Sequence, residues 1–173
     1  MSISLRSFKQ RVRHRKTSLR KFLARLEKNP PKKLDQLTVT VEREVWKEIS
    51  CITCANCCKS MTPTYTLKDM KRISAHLGMT VREFKDKWLY QEHGTGDWMN
   101  RETPCQFLDL QTNMCTIYEV RPLDCAGFPH LPRKKMVEYM HVHKQNLEFC
   151  PATYRMVEKM MEKLKPITSK GGL

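Results

Sequence analysis

Four cysteines fall within eight positions in the stretch Cys51-Ile-Thr-Cys54-Ala-Asn-Cys57-Cys58. Four more follow singly at Cys105, Cys115, Cys125 and Cys150, the last in a Cys-Pro step. Thiols at this density close disulfides, bind metal, or include a reactive nucleophile. The chain shows no apolar segment of the secretory-signal kind and no run approaching the roughly 20 apolar residues of a membrane span. The expected setting is therefore a reducing, cytoplasmic one, where cysteines stay as thiols and serve as metal ligands.

Eight thiols suit two four-ligand sites or one multinuclear cluster. At about 100° per residue, an α-helix would put Cys51, Cys54 and Cys58 on a face about 60° wide, with Cys57 off its shoulder. In a loop, Cys51, Cys54 and Cys57 would instead reproduce the CxxCxxC wrap of ferredoxin-type clusters, an analogy that the remote Cys150-Pro151 also fits. On either geometry the adjacent Cys57 and Cys58 are expected to serve different metals, or to leave one thiolate unligated. Two structural zinc ions would call for two pairs of CxxC knuckles, and only the first half has them. All-thiolate supply and the CxxCxxC run favour an iron–sulfur cluster over zinc. His130 and the His141-Val-His143 pair offer nitrogen ligands, the pair facing one side if it lies on a strand. An ordinary surface or core role is the plainer expectation for all three. Arg121 and Asp124 bracket Pro122 and read first as a structural ion pair, second as groups that position a substrate.

The elements that must position these residues are unevenly legible. Thr66 is a candidate N-cap, with Asp69 in the first turn, for a helix running to Leu77 and stopped by Gly78. Thr80-Val-Arg-Glu83 is a capping box opening a second helix, apolar at Val81, Phe84, Trp88 and Leu89. Both read as scaffold without chemistry. Leu37 to Val41 is β-like, with a helical or extended lead into the first cysteines. Phe107–Leu110 and Cys115–Tyr118 read as a hairpin about a turn at 111–114, and Pro122 and Pro129 as holding irregular backbone around Cys125. Pro151 to Leu164 returns to helix, with Tyr154, Val157, Met161 and Leu164 on one stripe. The fold class expected is α-rich α+β.

The net charge of +14 is concentrated at one end. Residues 1–33 hold twelve Lys and Arg against Glu27 alone, so +11 of the charge lies there. Leu5, Phe8, Val12, Leu19, Phe22 and Leu26 recur at spacings of three and four, with Arg15 at the missing step, which predicts an amphipathic helix ending near Asn29-Pro30-Pro31. Such a helix either lies on the body with a solvated basic face, or uses that face on RNA or the ribosome through Arg6, Lys9, Arg11, Arg13, Arg15, Lys16, Arg20 and Lys21. A mitochondrial presequence has the same composition. The domain reading is a basic arm over 1–33, a cysteine-cluster domain over 34–165 and a flexible tail over 166–173.

Taken together, CITCANCC, PCQFLDLQTNMCTIYEVRPLDCAGFP and the late CP resemble the YkgJ-type cysteine-cluster family, a zinc- or iron-chelating domain named for CxxCxxCC. The resemblance covers about residues 50–151 and finds all eight of the family's cysteines. It implies a small cytoplasmic metalloprotein of bacterial type. A related cysteine cluster occurs in flagellin lysine-N-methylase, from which only the cysteine pattern carries over. A cluster-dependent modifying enzyme, such as a methyltransferase acting on protein or RNA, is thus the alternative function, and a metal carrier or redox sensor a further one. The chain has neither a Gly-rich phosphate loop nor a radical-SAM CxxxCxxC motif.

Overall fold

The structure, a computed structural model, describes residues 4–132 and 135–164; the tail expected over 166–173 lies outside them. In chain order the helices are α1 (Leu5–Lys28), α2 (Leu34–Glu48), α3 (Cys51–Cys54), α4 (Asn56–Ser60), α5 (Leu67–His76), α6 (Val81–Trp88), α7 (Leu123–Gly127), α8 (Met140–Phe149) and α9 (Pro151–Lys163). Strands β1 (Thr64–Tyr65), β2 (Leu89–Gln91) and β3 (Trp98–Asn100) form one antiparallel sheet in the order β1-β3-β2. The class is α-rich α+β. Two compact units divide the chain, one holding Ser50–His130 and the other Arg6–Ile49 together with the residues from Leu131 onward. Among the described residues no helix is long and apolar enough to cross a membrane.

The second unit is helical. α1 buries Phe8, Val12, Leu19, Phe22 and Leu26 of the predicted stripe and also Leu23, leaves Leu5 half-buried, and stops before the Pro30-Pro31 pair. Phe8 meets Tyr154 of α9 edge-on, with ring centroids 5.8 Å apart. Each large apolar side chain buried in this way contributes roughly 1.5–3 kcal/mol. α2 corrects the β-like reading of Leu37 to Val41. Its buried residues Leu34, Thr38, Val41 and Val45 recur at helical spacing, and the packing of that face overrides the β-branched preference of Thr and Val. Glu44 and Glu48 of α2 hold Lys159, Lys163 and Arg155 of α9 in exposed pairs, which fix register more than they stabilise.

Basic residues of α1 divide into two sets. Arg15 pairs with Glu158, Lys16 and Arg20 both reach Glu148 at 3.0 Å, and Arg11 lies over the Tyr154 ring. Arg6, Lys9, Arg13, Lys21, Arg25 and Lys28 are exposed and, among the described residues, in no ion pair with a carboxylate. The one acid of α1, Glu27, is taken up by Lys144 at 2.5 Å. An open groove of about 430 Å³ beside this face is lined by Thr17, Arg20, Lys21, Ala24 and Lys144.

In the first unit both predicted capping boxes are present. Thr66 accepts from the Asp69 N–H while Asp69 accepts from Thr66, and Thr80 and Glu83 do the same for α6. Tyr65, Met70, Ile73, Phe84, Leu89, Phe107 and Ile117 form the core, in which Phe84 stacks on Phe107 and Trp88 meets both rings at an angle. The expected hairpin is reduced to a single bridge, Leu108 to Cys115, closed by Thr116 N–H to Phe107 O at 2.8 Å. The paired strands lie elsewhere, flanking the stretch that reads as a polar loop over 93–97. Around Cys125 the backbone is the short helix α7, with Pro122 as its N-cap, rather than irregular.

Candidate metal centre

The first cysteine group is neither one helix nor a loop. α3 and α4 are single helical turns joined at Ala55, whose φ of 48° and ψ of 16° are left-handed. A residue with a Cβ meets a steric penalty of roughly 1–2 kcal/mol there. Buried Ala55 is held by its own N–H to Cys51 O and by Lys59 N–H to Ala55 O, 3.2 and 3.1 Å. The break turns the second pair of thiols back on the first. Cys57 Sγ lies 3.9 Å from Cys58 Sγ, and its thiol also hydrogen-bonds with Cys51. A tetrahedral ion with metal–sulfur bonds near 2.3 Å has an S···S edge of about 3.8 Å. Cys57 and Cys58 therefore have the separation of two ligands of one ion.

Three further thiols join this group within the same unit. Cys105 is tied to it through its N–H to Cys58 O at 2.8 Å, Cys115 sits on the Leu108 bridge, and Cys125 lies in α7. Desolvation by the surrounding protein raises the pKa of Cys54, Cys105, Cys115 and Cys125, the last although its residue is exposed at the surface, and the charge of Cys58 adds to the rise in all four. Hydrogen bonds to Cys51 and Cys58 keep the proton on Cys57 and favour the thiolate on both of those partners. Arg121 assists at Cys51 and Cys115, and Lys59 at Cys54 and Cys58. Seven of the eight cysteines lie in this one unit. A bound cation reverses both penalties at once, since a coordinated thiol is deprotonated outright. The all-sulfur donor set fits zinc or iron. Among the described residues no three His, Cys, Asp or Glu side chains are already gathered at metal-ligating distance.

Cys150 belongs to the other unit. It is buried at the N-cap of α9, where its sulfur accepts the Thr153 N–H at 3.4 Å. Cys51 and Cys125 are exposed, and none of the eight cysteines is in a disulfide.

Asp69 and Arg72, which read from sequence as scaffold, position the chain that leads into Cys125. The fully buried Asp69 carboxylate accepts from Thr66 N–H and Oγ1, from Arg72 Nη2 at 2.6 Å and from Leu123 N–H at 3.1 Å. Arg72 also donates to Val120 O and Arg121 O. The expected Arg121–Asp124 pair is replaced by two other contacts. Arg121 stacks 3.8 Å over the Tyr118 ring, while Asp124 binds His130 Nε2 at 2.9 Å and accepts the Thr64 N–H at 3.0 Å. Burial works to raise the Asp124 pKa, and the bonds from His130 and Thr64 outweigh it. His130 thus gives one ring nitrogen to a carboxylate beside Cys125. His141 and His143 lie in α8, where residues two apart point in different directions: His141 is exposed and His143 buried. This corrects the strand geometry expected for that pair.

Residues 50–152 match the CxxCxxCC family model, described as a "putative zinc- or iron-chelating domain". The uncharacterized protein MJ0661 of Methanocaldococcus jannaschii is 36% identical over 81 residues, which are 46% of this chain and 43% of that protein. The chain thus spans less than half the length of that relative. No solved structure gives a significant match. With the family match covering more than half of its residues, this chain belongs to the CxxCxxCC zinc- or iron-chelating family.

Proposed function

We propose that Cys51, Cys54, Cys57, Cys58, Cys105, Cys115, Cys125 and Cys150 hold an iron–sulfur cluster, with zinc the second choice, in a protein of the reducing cytoplasm. The observation that carries this reading is the set of seven free cysteines in one unit, with Cys57 Sγ 3.9 Å from Cys58 Sγ and the Cys105 N–H on Cys58 O. The place of Cys150 rests on the family pattern. Bound, the group would supply folding energy to the largely irregular stretch from Cys105 to Cys125 and, if iron–sulfur, a redox couple. Anaerobic purification with quantitation of iron, sulfide and zinc tests the proposal. Iron and sulfide together, or zinc alone, are the expected outcomes, and a well-folded metal-free chain with eight titratable thiols rejects it. Cys150→Ser keeps a good N-cap for α9, so a fall in metal content in that variant reports ligation rather than unfolding.

The exposed cations of α1 favour a second role, docking on RNA or a ribosomal particle. The six with neither a carboxylate pair nor a ring contact, Arg6, Lys9, Arg13, Lys21, Arg25 and Lys28, are proposed as the phosphate contacts. Binding through all six would make log K fall with log salt at a slope of about −4 on single-stranded RNA. Replacing Arg6, Lys9 and Arg13 together should reduce that slope by about half. Co-sedimentation at several salt concentrations measures both, and salt-independent binding or no binding rejects the role.

A further inference from the structure

Asn100, at the end of β3, is 1% exposed and its side-chain amide has a fixed orientation. Its Oδ1 accepts from Tyr65 OH at 2.6 Å and from Gln106 Nε2 at 3.0 Å. Two donors on that atom make it the oxygen, so the other terminal atom is the NH2 group. Asn100 Nδ2 is buried and, among the described residues, has no partner at ordinary hydrogen-bonding distance. Gln106, one of the two donors that hold Oδ1, is the chain neighbour of Cys105, which brings the Cys105 sulfur into the neighbourhood of this amide. A buried amide donor left unsatisfied is costly unless a stronger acceptor arrives, and a metal-bound thiolate carries that acceptor charge permanently.

We infer that Asn100 is a positioning residue of the metal centre, donating its Nδ2–H to the Cys105 sulfur once that sulfur is a metal ligand. The inference rests on the cysteine cluster holding metal and adds a specific partner for one ligand. The contacts that hold the two partners are in place. Tyr65 and Gln106 hold the amide, β3 holds Asn100, and the Cys105 N–H is fixed on Cys58 O. Hydrogen bonds to ligand sulfurs draw charge off the metal, tighten its binding and shift the potential of an iron–sulfur cluster.

Asn100→Asp tests this without changing shape. The carboxylate keeps an acceptor for Tyr65 and Gln106 but turns the amide donor into a second acceptor. Zinc affinity, read by competition with a chromophoric chelator on the full chain, is expected to fall about 10- to 100-fold. In a Cys105→Ala background the same substitution should have little further effect, because its partner is gone. A second measurement needs no variant. In wild-type protein loaded with cadmium-113, the Asn100 side-chain amide protons should shift, exchange more slowly and show coupling to the metal. Undiminished affinity in Asn100→Asp, an equal loss with and without Cys105, or an Asn100 amide unaltered by cadmium overturns the inference. A wild-type chain that takes up no metal overturns the cluster reading beneath it, which is a separate and recognisable result.

Discussion

Cys58→Ser is expected to lose about 100-fold in metal affinity, the largest loss of any single cysteine, while leaving the metal-free chain as stable as before or more so. Structural zinc sites in small domains bind with roughly 10–16 kcal/mol over four ligands, so one thiolate carries about 3 kcal/mol, near 100-fold. Two observations place Cys58 at the top of the order. Its charge is felt at Cys54, Cys57, Cys105, Cys115 and Cys125, and its carbonyl holds the Cys105 N–H. Serine keeps that carbonyl and removes the thiolate, so the same change that costs the loaded state relieves crowding in the metal-free one. Exposed Cys51 should be the milder loss, because water can replace it at the rim. Zinc or cobalt titration of both variants, with urea unfolding of the metal-free chains, checks the order and the sign. A greater loss at Cys51 than at Cys58 would remove Cys58 from the centre.

Local signals made part of this legible. The capping boxes at Thr66 and Thr80 need only residues three apart, and the α1 stripe needs only its own periodicity, so both are readable without knowing the fold. The eight cysteines likewise mark the candidate ligands. What sequence could not show is how the chain brings them together. The left-handed turn inside CITCANCC falls on Ala55, not on a Gly or Asn that would have announced it, and without that turn Cys57 points away from its neighbours. Strands of two or three residues have no measurable alternation, which hid the sheet and with it the placement of Asn100. The β-branched run in α2 spoke for strand until its buried face was seen to repeat at helical spacing. Asp69 met Leu123, and Asp124 met Thr64, across 54 and 60 residues, pairings that nothing in the local pattern marks.

Asp69→Ala is expected to destabilise the cysteine-bearing unit by about 3 kcal/mol, because it strips acceptors from buried N–H groups and leaves Arg72 without its carboxylate. Against a total of roughly 5–15 kcal/mol for an ordinary domain, that is a large share. Asp69→Asn keeps one acceptor and the side-chain volume, so it should cost about half as much. Urea unfolding in a Trp46→Phe background, where Trp88 and Trp98 report from this unit, measures both. The pH dependence has a definite sign. Burial works to raise the Asp69 pKa, but the bonds from Thr66, Arg72 and Leu123 outweigh it, so the folded value lies below the ordinary carboxylate range. Its contribution is therefore complete above about pH 4 and lost as pH falls through the depressed value, and Asp69→Asn should flatten that part of the acid limb. The same carboxylate orders the first residue of α7, two positions before Cys125. Without it, metal binding must itself supply the order at α7, and affinity falls along with stability. A variant that loses stability but binds metal as tightly as before would show that Asp69 serves α5 alone and leaves Cys125 to find its own place.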